Sequence, residues 1–473
     1  MLSYNVQLVC CAAYYVNLLE TGSLRWADNC LVVIDEAHHC LKDHPYSRLI
    51  QLCRHSQLPA TGRPRLLGLT ASPAGRDTLP GTVVMLRQLM TNLAVDNVIT
   101  VQRNVDELRL YQSIARLDTR LVSYSSSEHQ LARLLRQRIA HCYLQLRQLS
   151  DVTAFRELDA FGSLSPQNVE DSASDLDSEL VRCLVDVVDN LEPKDAGSKP
   201  ALCILSSHVK ILGHALEAVD IGLDCAYNEL SILLQSNFMG SFRRAMEAGL
   251  KCDGLETLVG GYFEAQDKND KSAETVDDDP IEATKKSATY VQLTHELESW
   301  WDSCGDGGGQ SRIALVLVRT RKTADVLSKL LRCSPSLVKR QMSVALVVGH
   351  GSGGTDGGVG MTVQQQARTL QNIAQRQYNV IVATSVAEEG VDLPQCDLVI
   401  ELEAPDCVRA LVQVRGRARK PDSQFVVFLR DAAQKAQLHS LLVQEQHMTD
   451  AVRQIINSSN LNPNIASDSV PKD

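Results

Sequence analysis

"NVIVATSVAEEGVDLPQCDLVIE", residues 379–401, holds two short apolar runs divided by a polar loop. Runs of four with no alternation suit strands buried on both faces of a parallel sheet. The pattern continues outward. "RIALVLV" (312–318), "VALVV" (344–348) and "QFVVFL" (424–429) read the same way, with amphipathic stretches such as "TADVLSKLLRC" and "TVQQQARTLQNIAQ" among them. Strand alternating with helix predicts a doubly wound α/β domain, whose loops at the carboxyl ends of strands bind ligands. A shorter version occurs near the start, where residues 31–34 and "LLGLTA" (66–71) are apolar runs followed by polar loops. Strands to flank 31–34 are not recognisable, which leaves an apolar edge and predicts poor solubility for residues 1–120 alone.

The period changes between these parts. In "SSSEHQLARLLRQRIAHCYLQLRQL" from Ser125, Ser125 and Glu128 form a capping box, and Leu131, Leu135, Ile139, Cys142, Leu146 and Leu149 mark one helix face. The predicted organisation is a first, partial α/β domain (1–120), a helical insertion (121–262), an acidic linker (263–289), a second α/β domain (290–432), then a C-terminal helix and a disordered tail (433–473).

The chain has 473 residues, 44% hydrophobic and 22% charged, an ordinary balance for a globular protein. Its net charge of −10 argues against an overall basic nucleic-acid binder, but much of the acid sits in linker-like stretches, so a basic groove elsewhere stays open. Fourteen scattered cysteines include no C-x-x-C pair, so no zinc is expected. Reduced thiols, no leader and no apolar run of ~18 residues point to the cytoplasm or the nucleus, with no membrane partner.

Four motifs carry chemistry. In "VVIDEAH", Asp35 and Glu36 follow an apolar strand; one carboxylate can hold Mg²⁺ through its water shell and the other orient a water. An acidic turn that merely caps a strand is the bland alternative. In "LGLTASP", Thr70 and Ser72 can bond His38 or the carboxylates, or simply cap their own loop. In "ATSVAEEGVDLPQCDLVI", Thr384 and Ser385 offer hydroxyls to phosphate, Gly390 tolerates unusual backbone angles, and Asp392 can accept from a ribose. In "VQVRGRARK", Gln413 can orient a water, and Arg417 and Arg419 offer planar forks to a γ-phosphate.

Taken in order, with helical sequence between the second and third, these motifs resemble superfamily 2 helicases of the Dicer and RIG-I-like branch, with the Dicer type preferred on "GHGSGG…GMTVQQQ" and "TNLAVDNVITVQRNVDEL". The resemblance implies two RecA-like parallel-sheet domains with an inserted helical domain. It implies ATP and Mg²⁺ as cofactors, duplex RNA as partner, further duplex-RNA-binding proteins, and a place in RNA interference or antiviral defence. It implies that Asp35, Glu36, His38, Gln413, Arg417 and Arg419 serve hydrolysis. Thr70 and Ser72 would couple it to movement, and Glu389, Gly390 and Asp392 would lie near nucleotide. Arg319, Thr320, Thr384 and Ser385 would touch RNA. The chain departs from the family's pattern: it contains no G-x-x-x-x-G-K-[ST], the family's phosphate loop being expected before Met1, and it shows no RNase III signature and no sensor-type zinc domain. Weak or absent ATP turnover is therefore expected. A non-catalytic duplex-RNA-binding regulator and a DNA branch helicase are the alternatives.

Overall fold

A computed structural model describes residues 7–40, 44–56, 63–100, 115–150, 178–219, 287–303, 312–349, 360–384 and 391–460. Within these, positions 74, 189–190, 195–196, 392 and 421 are left out, and between 220 and 230 only Gly222, Ala226, Glu229 and Leu230 are described. The elements run α1 (Ala12–Glu20), β1 (Leu31–Ile34), α2 (Pro45–His55), β2 (Arg65–Gly68), α3 (Leu79–Leu93) and β3 (Arg116–Leu121). Three helices follow, α4 (Ser126–Leu149), α5 (Ser178–Val187) and α6 (Lys199–Val219), then α7 (Ala288–Asp302). The rest is β4 (Ala314–Leu317), α8 (Arg321–Arg332), α9 (Pro335–Lys339), β5 (Val344–Val347), α10 (Val363–Ala374), β6 (Val380–Ala383), β7 (Leu398–Glu401), α11 (Val408–Arg415), β8 (Gln424–Leu429) and α12 (Ala432–Asn460).

The chain divides into two compact units: Met1–Arg116 with Ala404–Phe425 and Ala432–Asp473, and Leu117–Glu403 with Val426–Asp431. The second holds a six-stranded sheet of order β3-β8-β7-β4-β6-β5. β4 pairs in parallel with β6 and β7, and β5 with β6. The amide of Arg116 donates to the Ser423 carbonyl and that of Val122 to Leu429, so β3 runs with β8 in the same direction. Every residue of β4 and β6 is buried, as expected of central strands covered on both faces. Fully burying each such Val or Leu contributes about 1.5–3 kcal/mol. The doubly wound α/β architecture read from the apolar runs is the observed one. The sequence boundary at 120 falls within β3, and β3 completes the second sheet, where it lies beside β8.

The helical insertion belongs to this second unit. Ser125 caps α4: its hydroxyl accepts from the Glu128 amide at 3.3 Å, and its own amide donates to Glu128 Oε2 at 2.7 Å. Leu131, Leu135, Ile139 and Leu146 then pack against Leu205, Val209 and Leu212 of α6 and Leu184 of α5. His208 on α6 is buried, and burial, aided by the Arg138 charge, pushes its imidazole down to about 4 from 6.5. The unfolded chain therefore takes up a proton that the folded chain refuses, so stability is full above pH 6.5 and lost as the pH falls toward 4. At pH 5 the loss is about 2 kcal/mol. Urea unfolding of the insertion is expected to show it, and His208→Gln to flatten the difference between pH 7 and pH 5.

In the first unit β1 pairs in parallel with β2, from Leu31 opposite Arg65 to Ile34 opposite Gly68. Ile34 faces a core of Trp26, Leu49, Ile50, Leu89 and Leu93. The alternate positions, Leu31, Val33 and Leu67, are about half exposed, and among the described residues β2 is the strand partner of β1 and no third strand joins them. The long helix α12 packs along α3 through Ile455, Leu86 and Val452. Among the described residues no helix is long and apolar enough to cross a membrane.

Candidate nucleotide and nucleic-acid sites

At the end of β1 the chain turns sharply. Glu36 takes a left-handed conformation (φ 48°, ψ 48°), uncommon for a residue with a side chain, and a short 3-10 turn over Ala37–His39 follows. The Glu36 amide donates to Asp35 Oδ1 at 3.0 Å, and Tyr46 Oη donates to the Asp35 carbonyl at 2.8 Å. Burial, with Asp35 and Glu36 adding their charge, raises the Tyr46 hydroxyl above its ordinary pKa and keeps it a donor. Two adjacent carboxylates at a strand end supply hard oxygen donors, the chemistry that suits a hydrated Mg²⁺ and an oriented water.

The next loop is bonded to this turn. The Leu69 amide donates to the Ile34 carbonyl, and the Ala37 amide to the Leu69 carbonyl, both at 2.8 Å. His38 is buried; its Nδ1 lies 2.9 Å from Thr70 Oγ1 and 3.3 Å from Glu36 Oε2. Thr70 Oγ1 also accepts from the amide of Ser72, itself buried, at 3.2 Å. Gly68 makes this approach possible, since a Cβ there would lie 2.9 Å from the Ala37 Cβ. Beside the turn His39 stacks on His44 at a centroid distance of 5.3 Å, and the Tyr46 ring lies tilted against His44 at 4.7 Å. Desolvation, with His39 nearby, lowers the pKa of His44.

The loop continues to the arginine helix of the same unit. Gly75 lies against Val408 at the start of α11. Gln413 is on α11, which ends at Gly416, and Arg417 and Arg419 follow on tight turns, with Arg419 Nε donating to the Gly416 carbonyl at 2.7 Å. α12 braces both segments. Glu445 pairs with Arg415, Gln444 Nε2 donates to Asp77 at 2.8 Å, and His447 lies 3.4 Å from the Arg76 carbonyl. Contacts thus join Asp35, Glu36, His38, Thr70 and Ser72 at one end of the loop, and at its other end Gly75 touches the helix that carries Gln413 and precedes Arg417 and Arg419.

In the second unit the carboxyl ends of β7, β4 and β6 form one rim. Val318 bonds back to Ala383 at 3.0 Å and Leu402 to Leu317 at 3.2 Å, which sets Arg319, Thr384 and Glu403 along it. Arg319 Nε lies 2.5 Å from Glu403 Oε2. Thr320 caps α8, accepting from the Thr323 amide at 3.2 Å. Thr384 is buried in this arrangement. Ser385, Glu389, Gly390 and Asp392 lie outside the described residues. Sequence reasoning missed Tyr46, Glu403 and Glu445. A strand ending at Glu401 with a second carboxylate two residues on was a usable signal for Glu403; Tyr46 and Glu445 gave none.

A family profile described as the helicase conserved C-terminal domain matches residues 307–421. The chain is 26% identical to Dicer-like protein 1 of Neurospora crassa over 96% of its own length and 24% of that protein's. It is 25% identical to Protein Dicer of Schizosaccharomyces pombe, covering 97% of this chain and 29% of that one. Endoribonuclease Dicer homolog 1 of Arabidopsis thaliana is 25% identical, over 89% and 22%. This chain spans about a quarter of the length of these relatives. Among solved structures, the Pyrococcus furiosus Hef helicase domain covers 91% of this chain and is covered over 76% of its own, at 19% identity and a TM-score of 0.48. Residues 307–421 thus match a helicase C-terminal domain, and the chain as a whole resembles a helicase region of the Dicer type over nearly all of its own length.

Proposed function

We propose that this chain is the duplex-RNA-responsive ATPase region of a Dicer-like protein, acting in RNA silencing or antiviral defence in the cytoplasm or nucleus. The observation that carries the proposal is that one loop is bonded at Thr70 to His38 of the Asp35–Glu36 turn and touches, at Gly75, the helix ahead of Arg417 and Arg419. Such a loop lets nucleotide state at the carboxylates be felt by the arginines. Bound Mg²⁺ and ATP would supply charge neutralisation and the phosphoryl group. Asp35 would hold the hydrated cation, Glu36 and Gln413 would orient water, and Arg417 and Arg419 would stabilise negative charge. Glu389, Gly390 and Asp392 would complete the nucleotide site. Arg319, Thr320, Thr384 and Ser385 would meet the RNA backbone, since A-form duplexes present phosphates and 2′-hydroxyls more readily than base edges.

A second reading, binding without turnover, is favoured by one observation: none of the 473 residues forms a G-x-x-x-x-G-K-[ST] loop. The two separate when ATP binding and hydrolysis are measured with and without duplex RNA, with Glu36→Gln as control. Low turnover is expected, abolished by Glu36→Gln; robust RNA-stimulated turnover by this chain would reject the expected weakness. Duplex RNA is expected to bind more tightly than duplex DNA at matched salt. Equal affinities would favour the DNA branch of the superfamily.

A further inference from the structure

The cations on the rim of the second unit already have partners of opposite charge. Arg319, at the end of β4, is paired at 2.5 Å with Glu403, which follows β7; the two side chains are only 19% and 18% exposed. Lys322, in the first turn of α8, is paired with Glu229 of the helical insertion, whose side chain is 11% exposed. α6 of the insertion packs on α8 nearby. Two parts of the unit, a strand end and the insertion, thus each place a largely buried carboxylate on a cation of one short segment, residues 319–322.

We infer that Glu403 and Glu229 mask this segment and compete with a phosphate backbone for Arg319 and Lys322. The inference rests on the assignment of the rim to RNA. A preorganised carboxylate, partly withdrawn from water, holds a guanidinium or ammonium against a single mobile anion. A duplex presents many fixed phosphates at once and can displace both carboxylates together. The mask therefore selects an extended polyanion over nucleotides or isolated anions. It also links binding to the insertion, because freeing Lys322 removes the tie between α8 and Glu229.

Salt dependence reads this out. Each phosphate neutralised by a protein cation releases about 0.9 counterion from a duplex. When the cation must first leave a carboxylate, that carboxylate takes up a cation from solution and net release falls. The test is a salt titration of the full chain binding a short blunt-ended RNA duplex. Glu229→Gln combined with Glu403→Gln is expected to bind about tenfold more tightly at low salt, with a slope steeper by about one to two. Unchanged affinity and slope would overturn the inference. If thermal melting shows that the double variant is not folded, Glu229→Gln alone is read instead, with about threefold expected and an unchanged value overturning. Arg319→Ala with Lys322→Ala is expected to weaken binding and to abolish the effect of the Gln substitutions. If this alanine pair leaves binding unchanged, the assignment of the rim to RNA fails and the mask falls with it; if only the Gln substitutions are silent, the mask fails and the assignment stands.

Discussion

Replacing Arg430 with alanine is expected to destabilise the second unit by about 2–4 kcal/mol, which a fall in urea midpoint at unchanged slope would show. Arg430 follows β8 and is buried. Its Nη1 donates to the Val122 carbonyl at 3.3 Å and to the Thr289 hydroxyl, and its guanidinium lies 4.8 Å from the centre of the Tyr124 ring. Ser123 Oγ donates back to the Arg430 carbonyl at 3.4 Å. The one side chain therefore ties β8 to the exit of β3 and to the first turn of α7. These are the points where the chain leaves for the helical insertion and returns from it. Alanine loses the guanidinium's contact with the Tyr124 ring, leaves the Val122 carbonyl short of a donor and opens space under that ring, and these losses outweigh the relief of one cation's desolvation. Arg430→Lys keeps the charge but not the planar fork and is expected to lose less. Hydrogen exchange should show lost protection at β3 and the start of α7; protection unchanged there would contradict the assigned role.

Gly75→Ala carries the second large expectation, a loss of about 1–3 kcal/mol in the first unit through overpacking. A methyl group at position 75 overlaps Val408 Cγ1. Val408 is β-branched and sits at the first position of α11, so it has few rotamers with which to yield. The loop carrying Thr70 and Ser72 must then move off the arginine helix. Val408→Ala makes room for the new methyl, so the double variant is expected to regain much of the stability lost by Gly75→Ala. Additive losses in the two single variants would show that the contact is not the cause.

How far the sequence carried differs between the two units. Strands β4 to β8 were legible because each centres on an apolar run without alternation, and in the central strands β4 and β6 every position is buried. The capping box at Ser125 and the Leu131–Leu135–Ile139 stripe were legible because both depend on spacing of a few residues. Asp35, Glu36 and His38 were legible as a cluster, as were Gln413, Arg417 and Arg419, because each group is contiguous in the chain. β3 was not assigned to the second sheet. "RLDTRL" has only two apolar residues, Leu117 and Leu121, and so lacks the apolar run that marks the other strands, and its neighbour β8 lies some three hundred positions away.

Most helices and buried strands, and the chemistry carried by the motif loops, are specified by local pattern and can be read from the residues alone. Which charges meet is settled only by folding. Arg319 was legible as a cation but not as one held by Glu403, nor Lys322 as one held by Glu229; Asp35 was legible as a carboxylate but not as one whose carbonyl Tyr46 holds. Ion pairs and single hydrogen bonds between distant segments leave no periodic trace, because nothing in the pattern around Glu229 distinguishes a carboxylate aimed at Lys322 from one aimed at water. Packing of the insertion against α8 sets that difference, and it exists only once the chain has folded.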